Sequence, residues 1–445
     1  MEVSEKVKNA YLSGSETKHL VLHFPELNLV IGTERLYYET MQLSESIMES
    51  GNVEFVGCIA SKFSIQAHGI RDDIKGKRIV ATIHTDSTAD SPVTLFSGIV
   101  DSAVLQANKR YKQIIAYDDL YSKGNIDVSS WYKSLAFPAT LKSVRDSLFT
   151  YIGISQEEKD LPNDDIVIDK QYAPQSLQAI SVIKAVCQIN GAFGIINRKN
   201  KFEYRILSEI FAEDSSCPPL YPPFYPGRDG GGQGGDQGRV QFPFYKKIDY
   251  EEFSVKPVER VTIRESAEDV GITYGDGTNN YIIQNNMFAH GLSDSIKMEI
   301  AEKIHKSISG ITFQPFSAAN TGMPWMECGV NSANYVVYDF EASEKARSDQ
   351  YTDMAFYLFK RELKGIQALS DVYSAVGEEY QTEFITDLQI QIDSIKNDTQ
   401  QIAQNTVKDY TYSRDEIDQM SKDWYRIVDE KPDTFEQGVI YFVRK

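Results

Sequence analysis

The chain predicts an α+β, β-rich fold, and three observations predict it. Runs of Val, Ile, Thr, Tyr and Phe with strand-like alternation fill residues 1–120 and recur in 250–375. Between them, over 121–210, the apolar period lengthens to that of helices. Past residue 380 the apolar positions settle into steps of three and four, the repeat of a helix seam.

In chain order, residues 18–31 read as a strand, and 53–68 (VEFVGCIASKFSIQAH) as another. Residues 78–85 (RIVATIHT), 93–105 (VTLFSGIVDSAVL) and 111–117 (YKQIIAY) follow, with 106–110 as a hairpin loop between the last two. Five such segments in about 120 residues predict an antiparallel barrel or sandwich over 1–120. Helical spacing then takes over at 127–135 and 139–151, through Leu141, Val144, Leu148, Tyr151 and Ile152. It returns at 176–189, through Leu177, Ile180, Ile183, Ala185 and Val186, with Gly191 as the stop signal. Short strands at 192–197 and 201–207, joined by a turn at Arg198–Asn200, complete a mixed α/β segment over 121–210.

A composition shift marks 211–249. Five of the 15 prolines fall in 218–226 and seven of the 28 glycines in 227–238, which reads as a flexible linker unable to bury apolar surface. Strand signals resume at 259–265, 270–274 and 280–286, with turn chemistry at 275–279. Residues 293–308 form an amphipathic helix: Ser293 is the expected N-cap, and Ile296, Ile300, Ile304 and Ile308 share a face. Segments 311–317, 334–340 and 354–363 are strand-like, so 250–375 is a second β-rich domain with one helix.

Over 376–410 the register Ile385, Leu388, Ile392, Ile395, Thr399, Ile402, Thr406 is an a/d seam of about three heptads. Isoleucine at both a and d favours three or four strands over two, so these seven residues are the nominated oligomer interface. An ordinary amphipathic helix packed on its own domain is the alternative. Residues 411–445 form a small tail piece with a helical start and a strand at 438–443.

Composition narrows the function. Of 445 residues, 46 are Lys or Arg and 64 are Asp or Glu, a net charge of −18. That excludes a general nucleic-acid binder and docking on anionic lipid, both of which need clustered cations. No run approaches the ~18 apolar residues of a membrane span, and the N-terminus has no apolar core of a signal peptide. The four cysteines, Cys58, Cys187, Cys217 and Cys328, include no CxxC pair, which suits a reducing compartment and argues against a disulfide framework or a Cys-rich zinc site.

Catalytic constellations are missing from the sequence. Gly230-x-Gly232-x-x-Gly235 matches a dinucleotide fingerprint only in form, since it follows prolines and opens no helix. His19 and His23 would lie about 13 Å apart along a strand, too far for one metal ion. Cys187 sits in the apolar stripe of a helix and reads as a buried structural thiol. Asp118 and Asp119 follow a strand and read as helix caps, and Asp269 and Asp276 as turn residues. Trp325 is either an exposed interface anchor or a packing aromatic. No catalytic residue, metal or cofactor is expected.

Several strings, in order, resemble a known family. They are 95–154 (LFSGIVDSAVLQANKRYKQIIAYDDLYSKGNIDVSSWYKSLAFPATLKSVRDSLFTYIGI), 189–207 (INGAFGIINRKNKFEYRIL), 261–275 (VTIRESAEDVGITYG), the stretch 311–329 containing ITFQPF and MPWMECG, and 359–381 (FKRELKGIQALSDVYSAVGEEYQ). They are similar to the tail hub, or tail-associated, proteins of siphophages and prophages of Gram-positive hosts, the "prophage endopeptidase tail" type with a baseplate-hub-like N-terminal region. The resemblance implies two tube-like antiparallel β-barrel domains with an inserted α/β domain, followed by a C-terminal trimeric coiled coil.

Its functional implication is a homotrimeric ring at the distal end of a phage tail or tail-like particle, adapting the hexameric tail tube and distal tail ring to a threefold tip. The implied partners are a second and third copy of the chain, distal tail and tail tube proteins, and the tape measure and receptor-binding proteins. The implied location is the virion tail tip, assembled in the host cytoplasm. Many members carry a long C-terminal fibre or a peptidoglycan-cleaving domain, and neither is expected in this chain. The alternatives are a tail-tip peptidoglycan-degrading enzyme, endopeptidase or glycosidase, and a carbohydrate-binding tip. An acidic lumen repelling DNA is a further expectation.

Overall fold

The structure is a computed structural model. It describes residues 3–48, 57–169, 176–206, 239–240, 245–266, 269–329, 332–377, 383–385, 425–428 and 440–443. The chain divides into two compact units, Met1–Gln391 and Ile392–Lys445. The Gly-rich stretch 227–238 and six of the seven seam residues lie outside the described residues.

The first unit opens with helix α1 (Glu5–Leu12), whose N-terminus is capped by the Ser4 hydroxyl accepting from the Val7 N–H. Seven strands follow: β1 (Lys18–Phe24), β2 (Leu29–Ile31), β3 (Leu36–Ser46), β4 (Lys62–His68), β5 (Arg78–Thr85), β6 (Val93–Leu105) and β7 (Tyr111–Tyr117). In β5 every second residue is buried, which is the strict alternation that made it legible. The expected strand at 18–31 is two strands, split by a 3₁₀ turn at Pro25–Leu27 with Asn28 left-handed at φ 47°. Of the strand expected over 53–68, residues 53–56 lie outside the described residues, 57–61 are irregular with the Gly57 carbonyl accepting from the Gly194 N–H, and β4 starts at Lys62.

The mixed segment contains α2 (Asp119–Gly124), α3 (Ser129–Ser134), β8 (Ala139–Thr140), α4 (Leu141–Ile152), β9 (Val167–Ile168), α5 (Ala179–Asn190), and the hairpin of β10 (Ala192–Ile196) and β11 (Phe202–Ile206). Helix α5 is buried almost all round, so its apolar stripe was wide as well as periodic. It ends at Gly191, whose φ of 60° lets its N–H reach back to the Cys187 and Gln188 carbonyls.

The second β segment holds β12 (Arg239–Val240), β13 (Tyr245–Tyr250), β14 (Arg260–Arg264), β15 (Ile272–Gly275), β16 (Asn280–Gln284), α6 (Asp294–Ile308), β17 (Phe316–Thr321), β18 (Ser332–Tyr338), α7 (Phe340–Ala346), β19 (Tyr351–Tyr357), β20 (Lys360–Lys364), β21 (Ser370–Ala375) and β22 (Glu383–Ile385). The single strand expected at 354–363 is the end of β19 and the start of β20, which belong to different sheets. The Ser293 hydroxyl makes no capping bond to α6, although Ile300, Ile304 and Ile308 are buried as their spacing requires.

The two β segments share a sheet. Its order is β13-β17-β21-β20-β3-β4-β7-β6-β5-β1-β2, eleven strands with every pairing antiparallel. The join is β20 against β3, with Leu363 opposite Leu43. A four-stranded sheet departs from the antiparallel expectation: β14 pairs parallel with β16, and β16 parallel with β22, in the order β15-β14-β16-β22. A third sheet is β12-β18-β19. One contiguous apolar core runs through both β segments and the mixed segment, from Tyr11 and Phe63 through Leu148 and Val186 to Ile300 and Tyr335. In the second unit, β23 (Tyr425–Val428) pairs parallel with β24 (Ile440–Val443), the strand expected at 438–443.

Candidate functional site

The densest polar cluster is a buried charge junction where the three segments of the first unit meet. Glu45 arrives from β3, Arg198 from the turn between β10 and β11, and Arg205 from β11. Glu327 arrives from the loop before β18, Arg361 from β20, and Asp371 from β21. Glu45 accepts from Arg198 at 2.7 Å and from Arg361 at 3.2 Å, so one carboxylate ties two arginines 163 positions apart in the chain. Glu327 faces Arg198 at 3.5 Å and Arg205 at 3.8 Å.

Arg361 is the centre. Its side chain is fully buried, and it forks onto Asp371 through two parallel bonds of 2.9 and 2.8 Å. Its remaining donors go to the Met323 carbonyl at 2.8 Å, to the Met326 carbonyl and to Glu45. Asp371 also accepts from the Tyr373 hydroxyl at 2.9 Å and the Met323 N–H at 3.2 Å. Burial pushes the Asp371 carboxyl above the usual carboxylate range, against the opposing pull of Arg361. Burial works against the Arg361 charge as well, but Asp371 outweighs it and holds the guanidinium firmly protonated. A shallow surface cleft adjoins the junction, lined by Glu45, Ser46, Ser61, Asn197, Arg198, Glu327 and Cys328 among others.

Nothing in this arrangement offers an acid–base pair to a substrate. Glu45, Glu327 and Asp371 are each held by arginine, and the buried Cys328 thiol is pushed far up by burial, which makes it a poor nucleophile. The loop Gly322–Gly329 wraps Arg361 with its carbonyls, and Trp325 is 9% exposed and packs edge-to-face on Tyr11 at 6.0 Å. Of its two readings, the packing aromatic is therefore the one observed.

Two further charged sites serve the mixed segment. Asp119 takes Arg78 in two bonds of 2.7 and 3.0 Å, tying α2 to β5. Arg145 on α4 forks onto Asp164 at 2.8 and 2.7 Å and lies 5.3 Å from the Tyr204 ring. Asp118 is the N-cap of α2, accepting from the Leu120 N–H at 3.0 Å and the Ser61 N–H at 2.7 Å, as its sequence position suggested. Asp269 accepts from the backbone of Glu265 and Gly271, a turn role. His19 meets His84 across the sheet, not His23, with rings stacked 5.2 Å apart and Asp86 2.7 Å from His19. Among the described residues no group of three or more His, Cys, Asp or Glu is placed to hold a metal ion, and no helix is long and apolar enough to cross a membrane.

Of the nominated oligomer seam, Ile385 is the last residue of β22 and pairs with Ile282, so it belongs to a strand and not to a helix. Leu388, Ile392, Ile395, Thr399, Ile402 and Thr406 lie outside the described residues. Sequence reading missed the junction altogether: its paired side chains are 10 to 316 positions apart, and no spacing rule connects them.

No family model and no curated protein matches the chain. Among solved structures it is similar to the 43 kDa tail protein of prophage MuSo2 from Shewanella oneidensis, with a TM-score of 0.48, 10% identity, and 81% of this chain and 98% of that chain covered. It is similar to the tail protein from Neisseria meningitidis MC58, with a TM-score of 0.44, 12% identity and 82% and 98% covered. It is also similar to prophage tail protein gp18 from Listeria monocytogenes EGD-e, with a TM-score of 0.44, 9% identity and 85% and 99% covered. At these scores and identities the likenesses assign neither a fold family nor a function to this chain.

Proposed function

We propose that the chain is a structural hub of a phage tail or a related tail-like particle, acting as a homotrimeric ring that adapts the hexameric tube and distal tail ring to a threefold tip. On this reading 1–120 and 250–375 are two unequal β modules that each face one tube subunit, 121–210 is carried outside the ring, and 376–410 supplies a trimeric seam that begins after Ile385. The partners are two further copies, the distal tail and tube proteins, and tape measure and receptor-binding proteins at either end.

The observation that carries this reading is the charge junction. Three of the strings that resemble tail hub proteins, 189–207, 311–329 and 359–381, supply Arg198 and Arg205, Glu327, and Arg361 and Asp371 to it. What those strings have in common is a fastening between modules, not a cleft with a reactive group. A chain whose most elaborate polar chemistry is spent on internal clamps suits a load-bearing part.

Light scattering on the full chain, and on a version ending at Ile385 that keeps β22 and removes the seam, tests it. The expected mass is about three times the 50.4 kDa chain, falling on truncation. A trimer that survives truncation would move the contacts to the β modules, and a monomer alone or with its tube partner would overturn the hub.

A further inference from the structure

Two of the cysteines that the sequence scatters are brought together. Cys58, on the irregular stretch before β4, and Cys187, on α5, lie with their sulfurs 3.5 Å apart although they are 129 positions apart in the chain. Both are buried and both are free thiols. We propose that Cys58 and Cys187 are a dithiol site that closes into an intramolecular disulfide when the protein meets an oxidising medium, fastening the first β segment to the mixed segment.

The local structure holds the two thiols in register. The stretch carrying Cys58 is tied to β10 by the Gly194 N–H donating to the Gly57 carbonyl at 3.1 Å. Helix α5 packs on β10 and runs into it through Gly191, so both sulfurs are positioned against the same strand. Gly194 leaves the slot that Cys58 fills: a methyl there would come within 2.8 Å of the Cys58 sulfur and 2.3 Å of the Phe202 ring. The sulfurs need to approach from 3.5 Å to about 2.05 Å, a movement that side-chain rotation and a small shift of the irregular stretch share. Cys328 is the internal contrast. Its sulfur lies 3.6 Å from the Glu45 carbonyl oxygen and has no thiol partner among the described residues.

The chemistry balances with a small-molecule disulfide as oxidant. The Cys58 thiolate attacks one sulfur of the reagent and releases one reagent thiolate, forming a mixed disulfide. The Cys187 thiolate then attacks the Cys58 sulfur, and a second reagent thiolate leaves. The two cysteine protons end on the two reagent thiolates. The protein loses two electrons and two protons, and one reagent disulfide becomes two thiols. Cys58 is the entry point because it lies outside regular structure, where local opening is easiest, whereas Cys187 is inside a hydrogen-bonded helix. This proposal does not rest on the tail reading, and its outcome is read on the isolated chain.

The test incubates the full chain in a glutathione redox buffer, both natively and during refolding from urea so that burial does not limit access. Free thiols are then blocked with an alkylating reagent, and intact mass and disulfide-linked peptides are read. The expected result is a loss of two hydrogens, a Cys58–Cys187 peptide, a fully alkylated Cys328, and a melting temperature that rises on oxidation and returns on reduction. Cys58→Ser and Cys187→Ala each abolish the cross-link and the redox dependence of melting. Free Cys58 and Cys187 after both treatments overturn the proposal, as does a mixed disulfide that never closes or a pairing of either residue with Cys217 or Cys328.

Discussion

At the scale of single residues, the energetics concentrate on Arg361 and Asp371. Both side chains are fully buried, and each satisfies the other through a two-bond fork. A buried pair of this kind need not add stability over a well-packed apolar pair, but removing one partner strands a charge without solvent. Asp371→Asn therefore lowers the unfolding free energy by about 3–5 kcal/mol, measured by urea denaturation. The double replacement Arg361→Met with Asp371→Leu costs less than the sum of the single changes, and strict additivity would show that the two do not act as a pair. Arg198 and Arg205 are different in kind: the buried Nε of Arg198 lies 3.5 Å from the Glu327 carboxylate without making a hydrogen bond, the buried Nε of Arg205 has no hydrogen-bond partner among the described residues, and their outer nitrogens meet Glu45, Glu203 and Glu327.

At the scale of elements, the join between the first β segment and the mixed segment is carried by the start of α2. Asp118 caps that helix and at the same time accepts from Ser61, one residue before β4. Burial pushes its carboxyl up to about 7, against the two backbone donors that hold it down. In the unfolded chain the same group titrates near ~3.9. Between these values the folded protein keeps a proton that the unfolded chain has released, so the stabilisation is complete below about 4 and is lost as pH rises through about 7. Comparing the unfolding free energies of the natural chain and Asp118→Asn from pH 4.5 to 7.5 checks this. The natural chain should fall relative to the variant by about 1 kcal/mol per pH unit, and a flat difference would mean the carboxyl is ionised throughout.

At the scale of the whole first unit, continuity decides the mechanics. The antiparallel ladder crosses from β20 to β3 without interruption, and Glu45 bonds Arg361 beside that crossing. Sheet and ion pairs together make the two β segments one frame, with the mixed segment held to it by Arg198 and by Arg78 on Asp119. At the junction, Glu45, Glu327 and Asp371 are each paired with arginine, which takes these three away from the paired acid and base work of a glycosidase. Zymography of the purified chain on bacterial cell walls should show no clearing, and clearing that disappears on mutation of a named carboxylate would replace the proposed hub with a hydrolase.

Much of the element list was legible because its signal is local. Strict alternation marked β5, apolar β-rich runs marked β6 and β7, and the wide apolar stripe with Gly191 marked α5. β3 was missed because its first half is exposed and polar and a register shift interrupts its pairing, so alternation survives only around Met41 and Leu43. What the sequence by itself determined is therefore the period of each segment, the acidic balance of the chain and the order of the resembling strings. Only the tertiary structure decided that the two β segments share a ladder, that Glu45, Arg198, Glu327, Arg361 and Asp371 converge, and that Cys58 faces Cys187. The physical reason is the same in each case. Hydrophobic period is written over neighbouring residues, whereas a buried charge or thiol finds its partner at separations from 10 to 316 positions, and no pattern along the chain records which one.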